Sequence, residues 1–220
     1  MAIMPESTEY TVVDNFGDDF DVDARPAQST STAVQSGWEA AEKLTPAMGD
    51  FPKEFKNSET IQIIKFLDLT GPFASYRQHF LQQKMSGPKS YVCLGATCPL
   101  CLKLGHRPED KRAFTIANLS ADPIQKQQFI ASTRLYKQLH AAEFSPQGPL
   151  TKNYWAISRS GQKQNTVYTL NAVKARDLGE DWGIDAEAAE AVIATMTPFT
   201  RSVIRENSYA ELLEIANDLA

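Results

Sequence analysis

Apolar positions crowd into the middle of this chain, and their spacing predicts short strands. Ile61, Ile63, Ile64, Phe66 and Leu67 form a β-branched and aromatic run with the signature of a buried strand, and Gly71-Pro72 ends it. Residues 90–93 and 113–117 read as two further strands. Residues 133–143 carry helical spacing, through Leu135 and Leu139. Residues 153–159 and 166–170 then alternate around Ser160-Gly161-Gln162, which is a hairpin signal. Outside this centre the pattern changes. Trp38, Ala41 and Leu44, with Ala40 and Ala47, predict a short amphipathic helix closed off around Pro46. Two more helical stretches fall near 186–196 and 209–219, the second marked by Tyr209, Leu212, Leu213 and Ile215. Residues 1–33 lack such a pattern and carry Asp18, Asp19, Asp21, Asp23 and a Ser/Thr run, the composition of a flexible arm.

Short strands, one intervening helix and a hairpin predict a mainly β fold with α additions. The pattern fits a small β-barrel better than an α/β sheet, with the five-stranded oligonucleotide-binding (OB-fold-like) barrel leading that class. The expected organisation is a flexible acidic arm (1–33), an OB-like core (34–176) and an acidic helical C-terminal region (177–220). A length of 220 residues suits one domain with extensions or two small ones. No apolar run reaches the length of a membrane span, and residues 1–10 contain acids without a basic, apolar leader pattern. With thiols expected to stay reduced, these features predict a cytoplasmic setting.

Charge is segregated along the chain. The net value is −5, yet residues 1–60 sum to −8, residues 61–176 to +11 and residues 177–220 to −8. A basic centre between acidic ends is the pattern of a polyanion-binding module whose own ends could mask it, or bind partner proteins once displaced.

The candidate chemistry lies in the basic centre. The chain's three cysteines, Cys93, Cys98 and Cys101, fall within nine residues, and thirteen residues separate His79 from Cys93. Thiolate and imidazole form the donor set of tetrahedral zinc, and four donors close a structural site. A Cys-x2-Cys pair on a tight turn reaches adjacent tetrahedral corners, and Pro99-Leu100 supports such a turn. Spacing alone admits either His79 or His106 as the fourth ligand, while His140, in the helical pattern, reads as a surface or packing residue. Two other readings stand beside zinc. A redox dithiol leaves Cys93 without a role, and three inert thiols need no partner at all. Three cysteines cannot all pair with one another, which argues against a disulfide framework.

Basic and aromatic residues interleave in the same region: Lys65, Tyr76, Arg77, Lys111, Arg112, Phe114, Tyr154, Trp155, Arg159 and Tyr168. Such a set suits single-stranded nucleic acid. Cations follow the phosphates, and ring faces stack unpaired bases at about 1–3 kcal/mol each. Arg112 and Phe114 share one strand face; Tyr154 and Trp155 point to opposite faces, one to stack and the other to pack. Taken singly, Phe66, Phe80 and Phe114 are core residues by type. Catalysis finds no support in a phosphate loop, a nucleophile elbow or a His-Glu-x-x-His helix. A zinc deaminase needs His-x-Glu, whereas Phe80 and Leu81 follow His79. The chain is therefore expected not to be an enzyme.

The segments Phe66-Leu67-Asp68, Pro72 through His79, Tyr91 through Gly95 and Cys98-Pro99-Leu100-Cys101 resemble the single-stranded-DNA-binding proteins of tailed phages that infect actinobacteria. Gly148-Pro149-Leu150, Tyr154 through Arg159, Val173-Lys174 and Asp181-Trp182 look like the distal half of that family, so the resemblance covers about residues 50–185. The ligand order is also similar to that of the zinc-bearing replication protein of T-even phages, an oligonucleotide-binding barrel with an inserted zinc subdomain. The gap from Cys93 to Cys98 is shorter here, so that protein's loop geometry does not transfer. The resemblance implies His79 as the fourth zinc ligand, His106 as incidental, single-stranded DNA as the partner, and replication or recombination proteins as partners of the acidic C-terminal region. It implies a role in phage DNA replication, recombination or repair. An RNA-binding or transcription-regulating zinc protein and a non-catalytic protein-interaction module remain the rival classes.

Overall fold

The computed structural model describes residues 52–161 and 165–220. The expected arm, the helix near Trp38 and the turn residue Gln162 lie outside them. Seven strands form one antiparallel sheet: β1 (Gln62–Phe66), β2 (Ala74–Phe80), β3 (Ser90–Val92), β4 (Glu109–Asn118), β5 (Gln125–Ser132), β6 (Tyr154–Ser160) and β7 (Val167–Val173). Five α-helices accompany them among the described residues: α1 (Pro99–Leu104), α2 (Thr133–Glu143), α3 (Asp177–Trp182), α4 (Ala186–Ala194) and α5 (Tyr209–Asp218). Strand β4 organises the sheet. One of its edges pairs with β2 through Ala74↔Ala113 and with β1 through Phe66↔Ile116, and its other edge pairs with β5 along its length. Strands β1 and β2 thus act as two halves of one long strand, divided near Gly71, whose φ of 99° a side chain would strain.

The sheet curves around a core without closing. Its interior holds Ile64, Phe66, Phe114, Ile116, Phe129, Trp155 and Ile157, capped by Leu135 and Leu139 of α2. No ladder joins β5 to β7 among the described residues, so the expected barrel is an open sheet. The chain leading into β1 occupies part of the β5 edge instead: Phe55 N–H donates to Gln128 O at 2.8 Å, and Gln128 N–H to Lys53 O at 2.9 Å.

A second core lies on the outer face, where Ile63, Ala117, Tyr154 and Ala156 meet Leu178 of α3 and Ala189 and Ile193 of α4. Strands β1 and β6 are therefore buried on both faces. A third core joins Leu81, Tyr91 and Leu100 to Leu212 and Ala216 of α5. Residues 177–220 belong to the same compact unit as the sheet. Their helices match the predicted stretches near 186–196 and 209–219, and α2 matches 133–143. Among the described residues, no helix is long and apolar enough to cross a membrane.

Candidate metal centre and adjoining cleft

The four sequence-predicted ligands converge. His79 lies on β2 opposite Tyr91 of β3, and the ladder continues past β3 through Cys93 N–H donating to Arg77 O at 2.8 Å. A 3-10 turn, Gly95–Thr97, then returns the chain so that Cys98 becomes the N-cap of α1. Pro99 follows at the first helical position, where its fixed φ and missing N–H cost nothing. Cys-x2-Cys is thus the first turn of a short helix rather than a free tight turn; Cys101 N–H donates to Cys98 O at 3.1 Å. The helix ends at Gly105, in the left-handed conformation that glycine tolerates best, and His106 follows with its N–H bonded to Leu100 O at 3.2 Å.

The ligand atoms of His79, Cys93, Cys98 and Cys101 all lie within 4.8 Å of one another. His79 Nε2 stands 3.4 Å from Cys98 Sγ and 3.6 Å from Cys101 Sγ, and Cys93 Sγ is 3.6 Å from Cys101 Sγ. Zinc bond lengths to nitrogen and sulfur require tetrahedral edges of about 3.5–3.8 Å, which these three separations approach. The group could hold a metal ion such as zinc. His79 is fully buried, and burial, with His106 beside it, lowers its pKa to about 4, leaving the neutral imidazole that ligates metals. Burial opposes ionisation of Cys98. Backbone N–H groups of Leu94, Cys101 and Leu100 directed at its sulfur outweigh that and hold the thiol below its ordinary value. Cys101 moves the other way, to about 12, through burial and the neighbouring sulfurs of Cys93 and Cys98. A coordinating cation reverses such a rise, because it deprotonates a thiol outright.

His106 does not face the sulfurs; its Nδ1 is 3.1 Å from His79 Nδ1, on the far side of that ring. His140 is exposed on α2, against the rings of Tyr136 and Phe144.

Strand alternation links this centre to the surface. His79 turns inward to the thiols, so its neighbours Gln78 and Phe80 turn the other way, and both line a cleft of about 550 Å³. Lys56, Lys111, Arg159, Tyr168 and the acids Glu54 and Glu109 line it too. Lys111 Nζ is 2.7 Å from Glu109 Oε2. Two buried polar atoms here have no hydrogen-bond partner among the described residues, Arg159 Nε and Asn57 Oδ1. A second cleft, of about 680 Å³, is lined by Phe73, Tyr76, Arg77 and Arg201 and reaches Cys93. Arg77 Nε there is 3.6 Å from Asp110 Oδ1.

The remaining predicted contact residues lie elsewhere. Tyr154 and Trp155 are each 1% exposed, and Phe114 packs edge-on to Phe66 with ring centroids 5.6 Å apart. None of these three rings is open to a base, because β6 is covered on both faces and Phe114 points into the interior core. Lys65 Nζ is 2.8 Å from Glu190 Oε1 of α4, which also accepts from the Tyr154 hydroxyl. Arg112 lies over the Tyr136 ring at 4.6 Å and donates to Thr133 Oγ1 at 3.2 Å. Phe80, a core residue by type, is 56% exposed. Sequence reasoning passed over Phe80, Gln78, Lys56 and Asn57 as contact residues. For Phe80 and Gln78 the signal was present, since flanking an inward ligand on a strand places both outward. Comparison with protein-family models, with curated proteins and with solved structures returns no match for this chain.

Proposed function

We propose that this chain is a non-enzymatic single-stranded-DNA-binding protein of phage DNA replication, recombination or repair, braced by a structural zinc ion. The observation that carries the reading is the 550 Å³ cleft: Lys56, Lys111 and Arg159 stand there beside the Phe80 and Tyr168 rings, and the Arg159 Nε has no hydrogen-bond partner among the described residues. Guanidinium and ammonium groups there would follow phosphates, and the rings would receive unstacked bases. Tyr76 and Arg77, in the neighbouring cleft on the same strand, would extend the track.

The sheet supports an OB-like reading. Strands β1 and β2 act as one, β4 and β5 complete a meander, α2 follows, and the β6–β7 hairpin returns to pair with β1. Metal binding free energy becomes folding free energy, so zinc would fix β2 and with it one wall of the cleft. Residues 177–220 do not line that cleft among the described residues, so they serve this reading as a support and a surface for replication or recombination proteins.

The test is a fluorescence-anisotropy titration with a labelled dT oligomer, its duplex and an RNA oligomer of matching sequence. Preferential binding of single-stranded DNA is expected. Equal or tighter RNA binding would transfer the site to RNA, and no binding to any of the three would make the chain a protein-interaction module.

A further inference from the structure

The two ring nitrogens of His79 face different partners. Nε2 points at the sulfurs of Cys98 and Cys101, at 3.4 and 3.6 Å, while Nδ1 lies 3.1 Å from His106 Nδ1. The rings meet edge to face, with centroids 5.2 Å apart and planes inclined at 62°. A hydrogen bond between two imidazole nitrogens takes one proton, so one ring donates and the other accepts. If the Nε2 lone pair is committed to a metal, the neutral His79 ring carries its proton on Nδ1. His79 then donates, His106 Nδ1 accepts, and the proton of the His106 ring is left on its own Nε2.

The geometry points to His106 as the positioning residue of the metal centre: it accepts from His79 Nδ1–H, fixes that ring's tautomer and tilt, and is not itself a ligand. This rests on the metal reading of the four-residue group. Metal-bound histidines commonly hand their second N–H to an acceptor that orients the ring. Here another histidine fills that place, and the fold holds it there. Helix α1 supplies Cys98 and Cys101, and the glycine that stops it has a φ of 61°. The next residue is His106, tied back to Leu100 O. Two of the four ligands and the ring support therefore come from one stretch, residues 98–106, and movement of α1 would shift them together.

His106→Ala would leave a buried Nδ1–H without an acceptor. Zinc affinity, measured by competition with a chromophoric chelator, is expected to fall about 10–100-fold. His106→Gln, whose amide oxygen can accept the same hydrogen bond, is expected to recover most of that loss. The cobalt-loaded His106→Ala protein should keep the visible band pattern of three sulfurs and one nitrogen. Nitrogen-15 spectra of the zinc-loaded wild type should show the His79 proton on Nδ1.

An affinity within twofold of wild type for His106→Ala would overturn the proposal. So would a cobalt spectrum that loses its nitrogen ligand, because His106 would then be the fourth donor. Equal loss of melting temperature in the metal-free and zinc-loaded variants, with affinity unchanged, would reduce His106 to packing. If wild type takes up neither zinc nor cobalt, the metal reading itself fails, and this inference with it.

Discussion

At the scale of single residues, chemistry follows from what each side chain faces. Cys101 reaches the other donors because it lies one helical turn after Cys98, and removing its sulfur opens the tetrahedron. Cys101→Ser is expected to lower metal content from about one zinc per chain to near zero, by metal analysis after gel filtration, and to bring the melting temperature to that of chelator-treated wild type. Full metal content in that variant would show that the four donors do not act as one site. Asp68 makes a different case. Its carboxylate accepts from Thr115 N–H at 2.5 Å and from Thr115 Oγ1 at 2.9 Å, yet burial outweighs both and raises its pKa from 3.8 to about 6. The folded state therefore holds this proton more tightly than the unfolded chain does. Its contribution to stability is complete below about pH 4 and is lost as pH rises through about 6. Asp68→Asn stays neutral, so urea midpoints should shift in favour of the variant, relative to wild type, between pH 4 and pH 7.5. A constant difference across that range would contradict the assignment.

Elements explain what the sequence revealed and what it hid. Strands β1, β3 and β4, the β6–β7 hairpin and helix α2 were legible because their apolar spacing is periodic or their turn residues are diagnostic. Strand β5 escaped notice, since Gln125-Lys126-Gln127-Gln128 precedes Phe129 and polar residues mask its alternation. Strand β2 escaped too, because its buried positions are few: Ala74 and His79. The ligand set was legible from residue type and spacing, since few other uses account for three cysteines and a histidine arranged in that way. The rings expected to stack were misjudged from sequence. A run such as Tyr154-Trp155-Ala156-Ile157 looks half exposed until helices α3 and α4 are known to cover its second face. Helix α5 shows the same dependence. Leu212 is fully buried against the strands and helix that carry the candidate metal ligands, and Lys103 Nζ reaches Asn217 Oδ1 at 2.5 Å. Leu212→Ala should lower unfolding free energy by about 2–5 kcal/mol. It should also speed zinc transfer to a chelator, followed in a stopped-flow chelator assay; an unchanged transfer rate would detach α5 from the metal centre.

For the molecule as a whole, charge is arranged by packing as well as by sequence. The acidic C-terminal region reads as a detachable mask, but it is built into two cores. Glu190 neutralises Lys65, and Phe199 N–H bonds to Thr115 Oγ1 at 2.9 Å where the chain crosses β4. Deleting residues 177–220 would therefore strip apolar cover from the sheet and from the candidate metal centre, and a failure of that truncated chain to bind DNA would report unfolding rather than the proposed contacts. Point changes in the cleft are the cleaner probe. Their expected mark is ionic: each phosphate contact with a single strand contributes about −0.7 to the slope of log affinity against log salt.

The decisive measurement is the salt dependence of dT-oligomer affinity for zinc-loaded wild type, for the same protein stripped of metal, and for the double variant Lys111→Ala, Arg159→Ala. Wild type is expected to bind tightly with a steep slope. The double variant should bind more weakly with a slope shallower by about 1.4, from two lost contacts. Metal removal should weaken binding at every salt concentration. An unchanged slope in the double variant, with binding intact, would place nucleic acid elsewhere on the protein and contradict the cleft as its site.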